Sequence, residues 1–179
     1  MESEEFYDLL FAPVVAELGP FDTTTMTAIV GFDVGGPISL MTIGRDRRNE
    51  FVTYVTCELA TREDQVPSDY GRYELLLTCD DESWAWDILT NVGQMTTDEA
   101  FDHGHTLDIA PWVGEEAILQ GLAFERQSSS RIENCVYSVL RVHGLTRAEL
   151  EQAISSGLQH VMAQREKDGV YPRTRVHCG

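Results

Sequence analysis

Apolar residues recur at Phe6, Leu9, Leu10, Val14 and Leu18, near the helical period, and predict an N-terminal helix that closes at the Gly19-Pro20 turn signal. Pro13 interrupts that pattern. It removes a backbone donor, so the helix is expected to kink or stop there unless Pro13 opens a second helical turn. The period then changes. Residues 23–30 (TTTMTAIV) and 38–43 (ISLMTI) are rich in β-branched side chains and flank the turn signal Gly35-Gly36-Pro37, which predicts a hairpin. A polar loop at 45–49 leads into a third strand-like run at 51–57 (FVTYVTC), and 73–78 (YELLLT) makes a fourth. Between them Pro67, Ser68, Asp69 and Gly71 supply turn chemistry, and residues 58–71 are expected to loop over the sheet edge.

The acidic run Asp80-Asp81-Glu82 suits the positive end of a helix dipole, with Ser83 placed to cap a helix that reaches about Gln94. Trp84, Ile88, Leu89 and Val92 share one stripe of it, the pattern of core packing. Further strand candidates are 105–109 (HTLDI), 117–124 (AILQGLAF) and 135–142 (CVYSVLRV). They are separated by 111–114 (PWVG) and by the Ser run at 127–131, which is expected to be mobile. Thr146 and Glu149 have capping-box spacing; the helix they open should carry Leu150, Ile154, Leu158 and Val161 on one face, weaken at Gly157 and end before Gly169. Strands in groups, with helices between and at the ends, predict an α+β fold: a largely antiparallel mixed sheet flanked by helices, in a single domain over 1–179.

Charge changes the picture more than composition does. Thirty acidic residues against 13 basic ones give a net charge of −17. Direct nucleic-acid binding is disfavoured, since it depends on Lys and Arg neutralising phosphates, and a basic partner is the natural complement. A solvated acidic surface that simply keeps the chain soluble is the plainer reading of the same charge. No apolar run approaches membrane-spanning length, so no membrane association is expected. The opening residues MESEEFYD carry acids where an export signal carries Lys or Arg, which favours the cytoplasm. Cys57, Cys79, Cys135 and Cys178 lie far apart with no Cys-x-x-Cys pair and read as free thiols.

The most reactive-looking stretch packs Asp98, Glu99, Asp102, His103 and His105 into eight residues. Two His one residue apart point to one side of a strand, and a neighbouring carboxylate completes a metal set; equally, a helix-to-strand loop collects Asp, Gly and His without chemistry. Nucleophile elbows and phosphate loops are absent, and the glycine-rich stretch 31–36 lacks the Lys-Ser/Thr ending that phosphate binding asks for.

The segment Ser68-Asp69-Tyr70-Gly71-Arg72-Tyr73-Glu74-Leu75-Leu76-Leu77 resembles the suppressor-of-fused (SUFU) domain family. Bacterial members commonly carry a Gly-Arg-x-Glu-Leu strand, a Trp-containing helix, a Gly-His-Thr lead into another strand and a final Thr-x-x-Glu-Leu helix. Here these fall at 71–75, 84–89, 104–106 and 145–150, in that order, and the likeness covers residues 21–164. The chain stops soon after the final helix, so the extra C-terminal domain of the animal Hedgehog-pathway protein is not expected, and control of a transcription factor is not carried over. The resemblance implies a non-catalytic binding fold without cofactor or metal. From bacterial relatives it implies an immunity protein that neutralises a toxin partner, and from the animal mode a partner peptide paired with an exposed strand.

Expected contact residues combine charge with large amphipathic anchors: Asp80, Asp81 and Glu82; Asp98, Glu99, Asp102 and His105; Trp112, Glu115 and Glu116. Two rival readings stand beside this one. One is a metal-dependent hydrolase centred on Asp102, His103 and His105; the other is a homodimeric structural module in which Trp112 packs across a two-fold axis.

Overall fold

The computed structural model describes residues 3–22, 27–28, 38–45 and 50–177. Most of the expected strand at 23–30, the turn at 35–37, the glycine-rich stretch at 31–36, most of the polar loop at 45–49 and Cys178 lie outside them. In chain order the elements are α1 (Ser3–Leu18), β1 (Thr27–Ala28), β2 (Ser39–Ile43), β3 (Val52–Cys57), β4 (Arg72–Cys79), α2 (Glu82–Met95), β5 (Thr106–Asp108), α3 (Ala110–Val113), β6 (Gly121–Ile132), β7 (Cys135–Leu145), α4 (Arg147–Ser156) and α5 (Leu158–Lys167). The strands form one sheet in the order β1-β2-β3-β4-β7-β6-β5. Neighbours are antiparallel except β4 and β7, which run parallel because the chain visits α2, β5 and β6 between them. The expected α+β fold with a largely antiparallel mixed sheet is the one observed.

Strand alternation divides the core between two faces. Tyr73, Leu75 and Leu77 of β4, Leu122 and Phe124 of β6, and Leu140 and Val142 of β7 point to one face, where α2 covers them with Ala85, Ile88, Leu89 and Val92. The other face is shared. α1 lays Phe6, Leu10, Phe11 and Val14 over Val55, Leu76 and Val139. At the far end α4 and α5 set Leu150, Leu158, Val161 and Met162 over Ala123 and Leu145. Between these two helical caps the same face of β7 carries Arg141 and His143, both fully buried. Arg141 is held by Gln127 (2.8 Å) and Glu17 (3.4 Å), and His143 Nε2 pairs with Glu125 Oε2 (2.9 Å), which also accepts the Tyr171 hydroxyl at 3.0 Å. Burial pushes the imidazole below its ordinary range, so it stays neutral and donates to Glu125.

Four expectations need correction. First, α1 runs unbroken through Pro13. Proline strips the Leu9 carbonyl of its helical donor, and the Ser130 hydroxyl approaches that oxygen at 3.4 Å instead. Second, Ser130 is able to do so because the Ser run is ordered strand: β6 continues to Ile132, paired with β7 across a bulge between Arg126 and Ser128. Third, α2 is capped by Asp81, whose Oδ1 accepts the Trp84 N–H at 2.8 Å, so Ser83 is already inside the first turn. Fourth, Thr146 and Glu149 form the expected capping box, but Gly157, at φ +88°, ends α4 and restarts the chain as α5. That break rotates the stripe, which leaves Ile154 69% exposed while Leu158 and Val161 are buried.

The motif strand β4 is explained by packing alone. Gly71 adopts φ +80°, and a Cβ there would stand 1.7 Å from the Val136 carbonyl oxygen. Tyr73 exchanges both main-chain bonds with the Gln65 side-chain amide, which fastens the loop at residues 58–71 onto β4. Glu74 is fully buried; its carboxyl accepts from Thr56 Oγ1 (2.6 Å) and Ala60 N (2.8 Å). Desolvation raises its pKa to about 8.

Candidate protein-binding face

The acidic cluster at the start of α2 is already engaged. Asp80 accepts the Val176 N–H at 2.7 Å, Asp81 holds both the Trp84 N–H and the His177 ring, and Glu82 pairs with Arg45 at 2.8 Å. The Trp84 N–H first, then the His177 contact and the adjacent Ser83 N–H, hold Asp81 below the usual carboxylate range against the opposing effect of its own partial burial. These three acids therefore face residues of their own chain.

The loop from Asp98 to His105 is built by its neighbours. Phe101 N donates to the Tyr73 hydroxyl at 2.9 Å, and Gly104 N donates to the Phe124 carbonyl at 2.8 Å. Asp102 folds inward to accept from Asp69 N (3.1 Å) and His103 N (2.7 Å). His105 Nδ1 accepts the Asp102 N–H, His103 Nδ1 accepts the Arg126 N–H, and His103 Nε2 meets the Gln159 amide, each at 3.3 Å. Asp102, His103 and His105 thus engage the loop itself and its neighbours Asp69, Arg126 and Gln159. Among the described residues no group of three or more His, Cys, Asp or Glu converges to share a metal ion, which removes the geometry the hydrolase alternative requires. Asp98 and Glu99 remain exposed at the end of α2, and Trp112, Glu115 and Glu116 stand exposed on and after α3.

What the structure adds is the strand between these groups. β5 is one rim of the sheet, and among the described residues it is bonded on its β6 side alone. Phe124 N donates to His105 O at 3.0 Å and Ile109 N donates to Gln120 O at 2.9 Å, so the His105 carbonyl, Leu107 and the Ile109 N–H face the β6 side, while the His105 N–H turns back to the Asp102 carbonyl at 3.1 Å. Thr106 and Asp108 consequently turn their N–H and C=O to the open side. Along that side runs a groove of about 660 Å³ lined by Glu99, Phe101, Leu107, Ala153 and Ile154. At the far end Asp108 forms a two-bond pair with Arg147 (2.8 and 3.2 Å), with Glu115 and Glu151 close enough to reinforce the Arg147 charge. One guanidinium among Glu99, Asp108, Glu115 and Glu151 leaves the rim acidic.

Of the expected contacts, Glu99, His105 and Glu115 fall on this rim, with Asp98, Trp112 and Glu116 close by in sequence; Asp80, Asp81 and Glu82 belong to another part of the molecule. Ile154 and Leu107 were not among them. The signal that would have found Ile154 is Gly157: a break there forbids one continuous stripe through Ile154 and Leu158.

No protein-family model and no curated protein sequence matches the chain. Solved structures do. A chain of the Sufu–Fu complex is similar with a TM-score of 0.67 at 15% identity, over 97% of this chain and 88% of that one. A suppressor-of-fused homologue from Neisseria gonorrhoeae gives 0.62 at 11% identity, over 98% and 96% of the two chains. Drosophila Suppressor of Fused gives 0.57 at 17% identity over 79% of this chain, which spans only 41% of that protein chain. The fold is that of the suppressor-of-fused domain, as the motifs at 71–75 and 104–106 implied.

Proposed function

We propose that this suppressor-of-fused-like chain is a non-catalytic protein-binding module that takes an extended, basic segment of its partner along the β5 rim. The observation that carries this reading is the open side of β5, where unpaired main-chain groups of Thr106 and Asp108 lie beside an apolar groove with acidic walls. Main-chain bonds supply affinity in such strand addition, and alternate side chains entering pockets supply selectivity. Leu107 and Ile154 offer an apolar seat, while Glu99, Glu115 and Glu151 favour Lys or Arg and speed encounter. The naming of one similar structure as a Sufu–Fu complex supports a protein partner as the class of ligand. A toxin with a basic nucleic-acid-binding surface is the partner class that best suits this charge, and an immunity role in the cytoplasm follows from it.

The experiment is substitution at a position that matters for docking and not for folding. Thr106→Pro removes an outward N–H that no sheet neighbour uses, so the module should keep its thermal midpoint within a few degrees and lose its partner. Unchanged partner retention by the folded variant contradicts docking at β5. Exposed Trp112 (40%) and Ile118 (42%) favour a second reading, self-association through this face, which light scattering of the purified chain distinguishes.

A further inference from the structure

β4 and β7 part company at one end of the sheet. Their last paired residues are Leu77 and Val142, after which β4 continues to Cys79 while β7 runs on to Leu145 paired with β6 alone among the described residues. The notch between them is filled by residues 173–177, sequence RTRVH. Thr174 lies inside, 1% exposed; its N–H donates to Thr78 O at 2.8 Å and its hydroxyl accepts the Gly144 N–H at 3.1 Å. Gly144 makes the room, since a Cβ there would meet the Thr174 methyl at 2.7 Å. Val176 packs on the α2-side core and donates its N–H to Asp80.

The side chains alternate as in a strand. Thr174 and Val176 go inward, while Arg175 and His177 meet acids: Arg175 pairs with Glu50 at 2.7 Å and stands 4.0 Å from Asp80, and His177 pairs with Asp81. Arg173 and Arg175 both approach the Phe51 ring, at 5.2 Å. The segment is therefore held as peptide ligands are held: main-chain bonds, a small buried anchor, and charges on a rim.

We propose that the β4–β7 notch is a second peptide-accepting site, selective for an extended basic segment with Thr in the buried position, and that residues 173–177 occupy it in cis. Asp80, Asp81, Glu50 and Phe51 read the ligand's basic groups, and Gly144 admits its anchor. The tethered segment acts at a high effective concentration, so a partner segment of the same chemistry enters only by displacing it. The site is separated from β5 by β7 and β6 and stands independently of docking there.

The test uses the full chain with Thr174→Lys, whose side chain does not fit the notch, and a fluorescent peptide carrying residues 171–177 supplied in trans. The folded variant should bind the peptide at least about tenfold more tightly than the unsubstituted chain, in which the notch is filled. Adding Asp80→Asn should weaken that binding about tenfold, as expected for loss of a charge-assisted bond. A folded Thr174→Lys chain that ignores the peptide overturns the proposal. Where the variant fails to fold, hydrogen exchange of the unsubstituted chain decides: Thr174 and Val176 amides exchanging about tenfold faster than those of Leu75 and Leu76 support a displaceable segment, and exchange at the same global rate overturns it.

Discussion

β4 lies inside the sheet and β5 lies at its rim, and the two strands use their backbone groups in opposite ways. Gly71, Tyr73 and Glu74 of the β4 motif are committed to the fold: Gly71 to the approach of β7, Tyr73 to Gln65 and Phe101, Glu74 to Thr56 and Ala60. β5 keeps one side uncommitted and borders a groove whose walls carry unspent charge. The contrast teaches that the residues by which the family is recognised need not be those that meet a partner. Here the recognisable strand is scaffold, and it reaches the rim only indirectly, through the Tyr73 hydroxyl that fixes the loop bearing Asp98 to His105.

The sharpest way to break this comparison is at Gly71. Alanine there combines a positive φ with a Cβ overlapping the Val136 carbonyl, so Gly71→Ala should cost at least about 4 kcal/mol and leave little folded protein, read by urea unfolding. A wild-type-like midpoint would show that β4 is not the rigid element claimed.

Glu74 offers a subtler probe. Its folded pKa, about 8, is raised above the unfolded value, so the folded state holds a proton that the unfolded state has released. Stability then falls as pH rises from the ordinary carboxylate range toward 8, by at most about 1.4 kcal/mol per pH unit, and levels off beyond. Glu74→Gln keeps a neutral group in place and should flatten this slope, gaining up to about 4–5 kcal/mol over the native chain at high pH while changing little at pH 5. Glu125 and Glu149 act in the opposite sense. Burial opposes their ionisation, but bonds from His143 and Tyr171 to the former, and from Arg165 to the latter, hold both below the usual range. Their contribution is present above the unfolded carboxylate range and is lost as pH falls through the folded values. Stability measured against pH should therefore peak in mildly acidic solution, and a monotonic rise to pH 9 would contradict the burial of an ionisable Glu74.

At the rim the expected effects on stability are small and those on binding large. Ile154→Ser should shift stability by less than about 0.5 kcal/mol, since the side chain is mostly exposed, yet weaken the partner complex. Glu99→Gln should slow association mainly at low salt, because a charge on a wet rim is screened within about 10 Å at moderate ionic strength. If Ile154→Ser destabilises the free chain as a core substitution would, the groove is structural and the contrast with β4 dissolves.

Much of the scaffold was legible in the amino-acid pattern because local chemistry and global fold agree there. The β4 run, the Thr146 and Glu149 box and the acid-led start of α2 each announce an element by propensity or capping. The cap at Asp81 and the break at Gly157 are local misreadings; the others share one cause, partners remote in sequence. Pro13 is tolerated because Ser130 approaches Leu9, and a polar Ser run forms strand because β7 pairs with it. Asp80 and Asp81 read as a free acidic patch until residues 173–177 return to them. The candidate rim was half legible, since acids and His near 98–105 stood out while the open side of β5 is a property of sheet order that periodicity does not encode.

The central claim is that partner binding runs along the open side of β5. The most direct measurement is paired capture from the source cell's lysate with the intact chain and with folded Thr106→Pro as baits, at low and at moderate salt. A basic protein retained by the intact chain, weakened by salt and absent from the Thr106→Pro bait is the predicted result. The same protein retained equally by both baits would contradict it.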